Sequence, residues 1–164
     1  YPLRRGAPVQ EIRSRLGLSQ PIFTRALARL AGESYMVEEA PFLRLPGHEV
    51  TLTPKMEQQV SEYLKALGRE PYTPPGDQPL EPELLGVLID QGQVVRVNPS
   101  VVFTAAAYRE MADRVVSHLQ SNGSITVAEA RTMFNSSRKY VLPLLEYLDQ
   151  QHITRRVGDE RVLR

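Results

Sequence analysis

Cysteine and tryptophan are absent from the 164-residue chain, and histidine is limited to His48, His118 and His152. Without cysteine, disulfides, thiolate metal centres, iron–sulfur clusters and thiol nucleophiles are excluded, and three widely separated histidines do not form a metal-ligand motif. Long apolar runs are missing too. No stretch approaches the ~18–20 residues that span a bilayer, and the arginine-containing start, residues 1–6, has no apolar segment behind it to act as a signal peptide. A cytoplasmic protein with no membrane partner is expected, and the lack of cysteine fits a reducing compartment.

Net charge is nearly absent as well, at +1, but its distribution is uneven. Residues 1–30 hold six arginines (Arg4, Arg5, Arg13, Arg15, Arg25, Arg29) against the single acid Glu11. Residues 31–104 are acidic, and residues 131–164 hold seven basic residues against four acids. The acidic middle argues against one continuous nucleic-acid surface, whereas either end could meet a polyanion.

What is present is a repeat of about fifty residues. Leu52-Thr53-Pro54 opens a helical pattern with Met56, Val60, Tyr63, Leu64 and Leu67 on one face, and Phe103-Thr104-Ala105 opens another with Met111, Val115, Val116 and Leu119. Thr53 and Thr104 are N-cap candidates 51 positions apart. Each follows a β-branched segment, 49–52 or 101–103, which itself follows a turn signal, Pro46-Gly47 or Asn98-Pro99-Ser100.

The last copy reads most clearly. A helix over 104–120 is followed by an Asn122-Gly123 turn, a short strand at 124–127 and a short helix over 128–134. A second long helix then opens near Asn135, Ser136 and Ser137, with Val141, Leu144, Leu145 and Leu148 at i, i+3, i+4 and i+7. A hairpin over 153–156 and 161–164 crosses Gly158-Asp159, an order weaker than Asp-Gly for a tight turn. Three helices and a small hairpin make a winged helix. Residues 9–16, a Gly17 turn and residues 20–30 carry a helix-turn-helix signature without a preceding helix. The middle copy has four prolines over 68–80 where a second helix belongs, then one helix over 81–91 and a hairpin over 94–97 and 101–103. The expected fold is mainly α with small β hairpins, tandem winged-helix domains in an elongated, semi-rigid array. The domains are 1–52 (a winged helix lacking its first helix), 53–104 (degenerate or incomplete) and 105–164 (nucleic-acid binding).

Residues 136–140, 143–149, 154–159 and 161–163 resemble the end of the selenocysteine-specific elongation factor SelB family. Residues 1–6, 11–17 and 44–48 resemble an earlier winged helix of the same region. The likeness covers most of the chain and is weakest in the proline-rich middle. It implies a translation factor with its GTP- and selenocysteinyl-tRNA-binding part upstream, followed by four tandem winged helices. This chain would be the second to fourth, and the last would bind the SECIS hairpin of the mRNA. The partners implied are that hairpin and, for the full-length factor, the ribosome. The function implied is hairpin recognition that directs selenocysteine incorporation at UGA codons. No cofactor is expected here: GTP belongs to the upstream part, and nothing reads as G-x-x-x-x-G-K-[ST]. The chain is expected to be a binding module and not an enzyme, with no catalytic residue and no metal.

For such a target the start of the last long helix is the natural site. Ser136 and Ser137 mark a helix N-terminus with free N–H groups and a positive dipole end, and Arg138 and Lys139 add full charges. Arg138 can grip a guanine edge bidentately or stack on an unpaired base, whereas Lys139 acts as a point charge. Arg155, Arg156 and Arg161 on the wing complete the candidate set. Adjacent strand residues point to opposite faces, so Arg155 and Arg156 do not share a phosphate row unless the hairpin twists, and one of them is open to a structural role. Tyr140 either stacks on a base or packs its ring into the domain, the position beside the apolar face favouring packing. Pro143 should kink the helix or make it start late. Arg4, Arg5, Arg13 and Arg25 form a secondary nucleic-acid contact or a solvated face with equal weight. His118 and His152 read as hydrogen-bonded residues, and Glu38-Glu39 as solvated. The alternative function is a DNA-binding winged-helix transcriptional regulator, which would normally act as a two-fold dimer. No exposed heptad seam offers a dimer surface, so a monomer is expected. A protein-interaction scaffold is a third reading, compatible with the first.

Overall fold

The computed structural model describes every residue except 1, 2, 4, 5, 40, 49 and 77–79. The chain divides into two compact units, Tyr1–Thr53 and Pro54–Arg164. Among the described residues no helix is long and apolar enough to cross a membrane.

In the first unit a two-residue strand β1 (Ala7–Pro8) leads into α1 (Val9–Leu16) and α2 (Gln20–Gly32). Gly17, at φ 63°, supplies the left-handed residue that lets the chain turn between these helices. Strands β2 (Val37–Glu39) and β3 (Phe42–Arg44) form the wing, and the antiparallel sheet runs β1-β3-β2. Phe23 from α2 and Leu43 from β3 are buried between the layers. The wing lies earlier than the β-branched segment at 49–52 suggests. Val50, Thr51 and Leu52 form no strand, because β3 already has partners on both edges and the Pro46-Gly47 turn follows it. Glu38 and Glu39 do lie in a strand, where Glu39 pairs with Arg44 at 2.7 Å across the hairpin.

Gly6 is required by close approach. A Cβ there would stand 2.3 Å from the Leu43 carbonyl oxygen and 2.8 Å from its carbon, both main-chain atoms of the central strand. Gly6→Ala is expected to cost the first unit about 1–3 kcal/mol, since strand or entry segment must shift. Urea unfolding followed by a probe in residues 1–53 checks this, and an unchanged midpoint would refute it.

The second unit begins with α3 (Pro54–Arg69) and α4 (Pro82–Asp90), then the hairpin β4 (Val94–Asn98) and β5 (Val101–Thr104). It continues through α5 (Ala105–Asn122), β6 (Ile125–Thr126), α6 (Val127–Phe134), α7 (Arg138–Gln150), β7 (Thr154–Val157) and β8 (Glu160–Leu163). Strands β4 and β5 form one antiparallel pair, and the last three strands form a sheet ordered β6-β8-β7. The described part of 70–80 contains no helix, as four prolines dictate. The architecture is mainly α with small antiparallel hairpins, in tandem winged helices.

Caps fix the boundaries. The Thr104 hydroxyl accepts from the Ala107 N–H at 3.2 Å, so the residue that ends β5 also caps α5 and no linker intervenes. Thr126 and Glu129 form a reciprocal capping box at α6, and the main-chain N–H bond from Thr126 holds the Glu129 carboxyl below its ordinary 4.5. The β7–β8 turn has positive φ at Gly158 and not at Asp159, the pattern of a type II′ turn, for which glycine first is the preferred order. One hydrophobic cluster joins Val97, Val101 and Phe103 of the β4–β5 hairpin to Met111, Val141 and Leu144 of the following helices. Residues 94–104 are thereby bound to 105–164 by burial as well as by chain continuity.

Helix α7 starts at Arg138, directly after Ser137, and runs through Pro143 without interruption. Pro143 has no N–H to give the Lys139 carbonyl, and its ring is buried, as are Val141, Leu144 and Leu145 of the same helix. Burial in the core offsets the missing bond, so the helix neither starts late nor breaks.

Candidate nucleic-acid interface

The turn between α6 and α7 is built from Asn135 and Ser136. Asn135 adopts the left-handed conformation at φ 45°, and the Ser136 N–H reaches back to the Arg131 carbonyl at 3.0 Å. The chain therefore reverses within residues 135–137, and Ser137 becomes the N-cap of α7. No side-chain bond caps this helix, which leaves the exposed Ser137 hydroxyl uncommitted. The Ser137 carbonyl accepts from Tyr140 and Val141, both at 3.1 Å, so the N–H groups of Arg138 and Lys139 remain at the open end.

Arg138 and Lys139 are both exposed, and the first turn contains no acid. Two cations at the positive end of a helix dipole are unfavourable by about 0.3–1 kcal/mol each. A local rule is broken here without a compensating ion pair among the described residues, the pattern expected where an anion is to be bound. The Lys139 ammonium lies 5.2 Å from the centroid of the Tyr140 ring. Tyr140 is half-buried and packs against the core, as its place beside the apolar face suggested.

Ser136 stands apart from its neighbours, because its hydroxyl donates to the Tyr72 carbonyl at 2.8 Å. That bond belongs to a clasp that sequence reasoning did not find. The Tyr72 ring lies 5.4 Å from that of Phe134, its hydroxyl donates to Glu110, and Glu110 holds the Tyr72 phenol above its usual range. The Arg114 guanidinium sits 4.9 Å from the Phe134 centroid and donates to the Met133 carbonyl at 2.7 Å. The end of α6 and the start of α7 are thus braced by the proline-rich segment that replaces a helix. Only spacing of 64 residues separates Tyr72 from Ser136, and no periodicity signals such a pair.

The wing divides. β7 is an edge strand of its sheet, and Arg155 and Arg156 are both exposed. Arg156 folds back on its own turn, donating to the Gly158 carbonyl at 2.8 Å with Asp159 at 3.8 Å, whereas Arg155 has no ion pair among the described residues. Arg161 departs from expectation. It lies on the central strand β8, paired with Ile125 and Arg156, and is only 2% exposed. Its Nε meets Asp149 Oδ2 at 3.4 Å, and the other Asp149 oxygen accepts from the Thr154 hydroxyl at 2.5 Å. Arg161 is a buried counterion that ties the wing to the end of α7, and it presents no charge to a ligand.

In the first unit, Arg4 and Arg5 lie outside the described residues. Arg13 is half-buried and hydrogen-bonds Gln20, while Arg15 pairs with Glu11 of its own helix at 2.8 Å and Arg29 with Glu33, the C-cap of α2, at 3.0 Å. Arg25 is exposed on α2 beside Ile22 and Arg29, which line a shallow apolar depression. The cluster is therefore partly neutralised, with Arg25 its clearest available charge. No group of three metal-ligating side chains occurs among the described residues.

Two family models described as the winged helix of elongation factor SelB match the chain, that of the second winged helix over residues 1–45 and that of the third over residues 117–163. Together they cover more than half of the 164 residues. The third-helix model thus falls on the last copy, where the resemblance had implied a fourth. A selenocysteine-specific elongation factor from Desulfomicrobium baculatum is 28% identical over 180 aligned residues, taking in 99% of this chain. The chain spans only 28% of that relative's length. The mRNA-binding domain of elongation factor SelB from E. coli, solved in complex with SECIS RNA, superposes with a TM-score of 0.52 at 20% identity, over 69% of this chain and 99% of that one. A bacterial selenocysteine-specific elongation factor, EF-Sec, gives a TM-score of 0.53 at 17% identity, over 97% of this chain and 26% of that one.

Proposed function

The chain belongs to the winged-helix region of the elongation factor SelB family, and from that premise we propose that it binds the SECIS hairpin of an mRNA through the start of α7. One observation carries the reading: exposed Ser137, Arg138 and Lys139 open a helix with no acid in its first turn, inside the segment matched by the family. RNA hairpins are read at splayed loop and bulged bases and along the backbone, because the A-form major groove is closed to side chains. A compact helix start, with N–H groups, a hydroxyl and two cations, suits such a target. Arg138 specifies, Lys139 and Arg155 hold phosphates, and Arg156 joins them when it releases its own turn.

Within this reading residues 1–52, 53–104 and 105–164 are three winged-helix copies, the middle one serving as support. GTP hydrolysis, ribosome binding and delivery of selenocysteine belong to the longer factor, which would act in the cytoplasm. The chain itself works as a monomeric binding module without a cofactor. The reading is tested by binding to a bacterial SECIS hairpin, the same stem with its loop scrambled, and duplex DNA, across a salt series. Tight binding that depends on the loop is expected. Equal, steeply salt-dependent binding to all three would reduce the site to a generic basic patch and favour the DNA-regulator alternative.

A further inference from the structure

Beside the start of α7 the second unit has a cleft of about 640 Å³, within the size range of ligand sites. Its walls come from three places: Arg69 and Glu70 at the end of α3, Thr73 and Gly76 in the proline-rich segment, and Lys139 and Tyr140 of α7. Lys139 is turned into it. A Cβ built on Gly76 would stand 3.7 Å from Nζ, so the ammonium lies close to the glycine, and it is 5.2 Å from the centroid of the Tyr140 ring. The Glu70 carboxylate is engaged by the Thr73 hydroxyl at 2.9 Å. Arg69 is exposed and has no ion pair among the described residues.

We propose that this cleft holds a backbone phosphate of the bound RNA strand, bridged between Lys139 and Arg69. The inference rests on the RNA-binding reading and extends it, because it brings the otherwise acidic middle region into the contact surface. Two cations without carboxylate partners face one cavity, and the single carboxylate there is already hydrogen-bonded. The adjoining Gly76 offers main chain without a side chain to exclude the strand. An RNA gripped at Arg138 passes its neighbouring backbone over Lys139, one residue further along the helix. The cleft reads charge and carries no base information.

The test uses the full 164-residue chain and the same hairpin series. Arg69→Ala is expected to weaken binding about three- to tenfold near 0.1 M salt and to flatten the log–log salt slope by about 0.7–0.9, the value of one phosphate contact. The preference for the intact over the scrambled loop should not change. Arg69→Lys should retain the slope, and Glu70→Gln should tighten binding by removing an opposing charge. Arg69 is exposed, so folding is not at stake, and circular dichroism verifies that. Unchanged affinity and slope in Arg69→Ala, with Arg138→Ala still defective, would overturn the cleft while leaving the hairpin reading intact. If neither variant affects binding, the hairpin reading itself falls, and the cleft with it.

Discussion

Arg138→Ala should lower affinity for the intact SECIS hairpin about 10–100-fold, the loss of one good bidentate or stacked contact of about 1–3 kcal/mol. Binding to the scrambled loop should fall far less, so the ratio between the two collapses. The reason lies in what Arg138 does in the free protein. It makes no ion pair among the described residues and occupies the first position of α7, where a cation is disfavoured. Its removal therefore leaves the fold intact, and stabilises the helix by about 0.3–1 kcal/mol. Better stability with worse binding separates a recognition residue from a structural one. Arg138→Lys should keep the salt slope and lose the discrimination, because an ammonium preserves charge but not the planar fork. A ratio unchanged in Arg138→Ala would remove this residue from the recognition surface.

Asp149→Ala should be the most damaging substitution for stability, at about 3 kcal/mol, enough to lower the melting temperature of the second unit by roughly 10 °C or more. Asp149 is the ion-pair partner of Arg161, which is 2% exposed. Truncating the acid leaves a buried guanidinium uncompensated and the Thr154 hydroxyl without its acceptor. Replacing the cation should cost far less: Arg161→Met leaves the Asp149 carboxylate, but that side chain is 23% exposed and keeps its bond from the Thr154 hydroxyl, so water can hold its charge, and the variant is expected to stay within about 1.5 kcal/mol of the parent. That folded variant should bind the hairpin as the parent does, since Arg161 never reaches the surface. Calorimetric melting and hairpin binding of both variants decide the matter. A binding loss in well-folded Arg161→Met would return this residue to the interface, and a mild Asp149→Ala would show that Arg161 finds water or another partner.

These two residues mark where sequence reading succeeds and where it stops. The turn that opens α7 was legible because its signals are local: cap-forming serines, adjacent cations, and leucines at helical spacing behind them. The fate of Arg161 was not, since a basic residue in a wing and one beneath it have the same composition around them. Strand alternation gives two faces but does not say which lies over α7. The first wing was misplaced for a related reason. Val50-Thr51-Leu52 has the composition of a strand, but a strand exists only where an edge is free to pair, and β3 has neighbours on both sides.

The sequence by itself determined the class of fold, the helix-turn-helix units and the place of the candidate site, because periodicity, caps and turn residues act over a few positions. Tertiary structure decided which cations are available. It buried Arg161 against Asp149, paired Arg15 and Arg29 along their helices, folded Arg156 onto its turn, and left Arg138, Lys139, Arg155 and Arg69 facing outward. It also set Tyr72 and Gly76 against α7, so that a proline-rich stretch unable to form a helix became one wall of a cleft beside that helix. Charge is a property of the residue, but its availability to a ligand depends on burial and on partners many positions away, which no local pattern encodes.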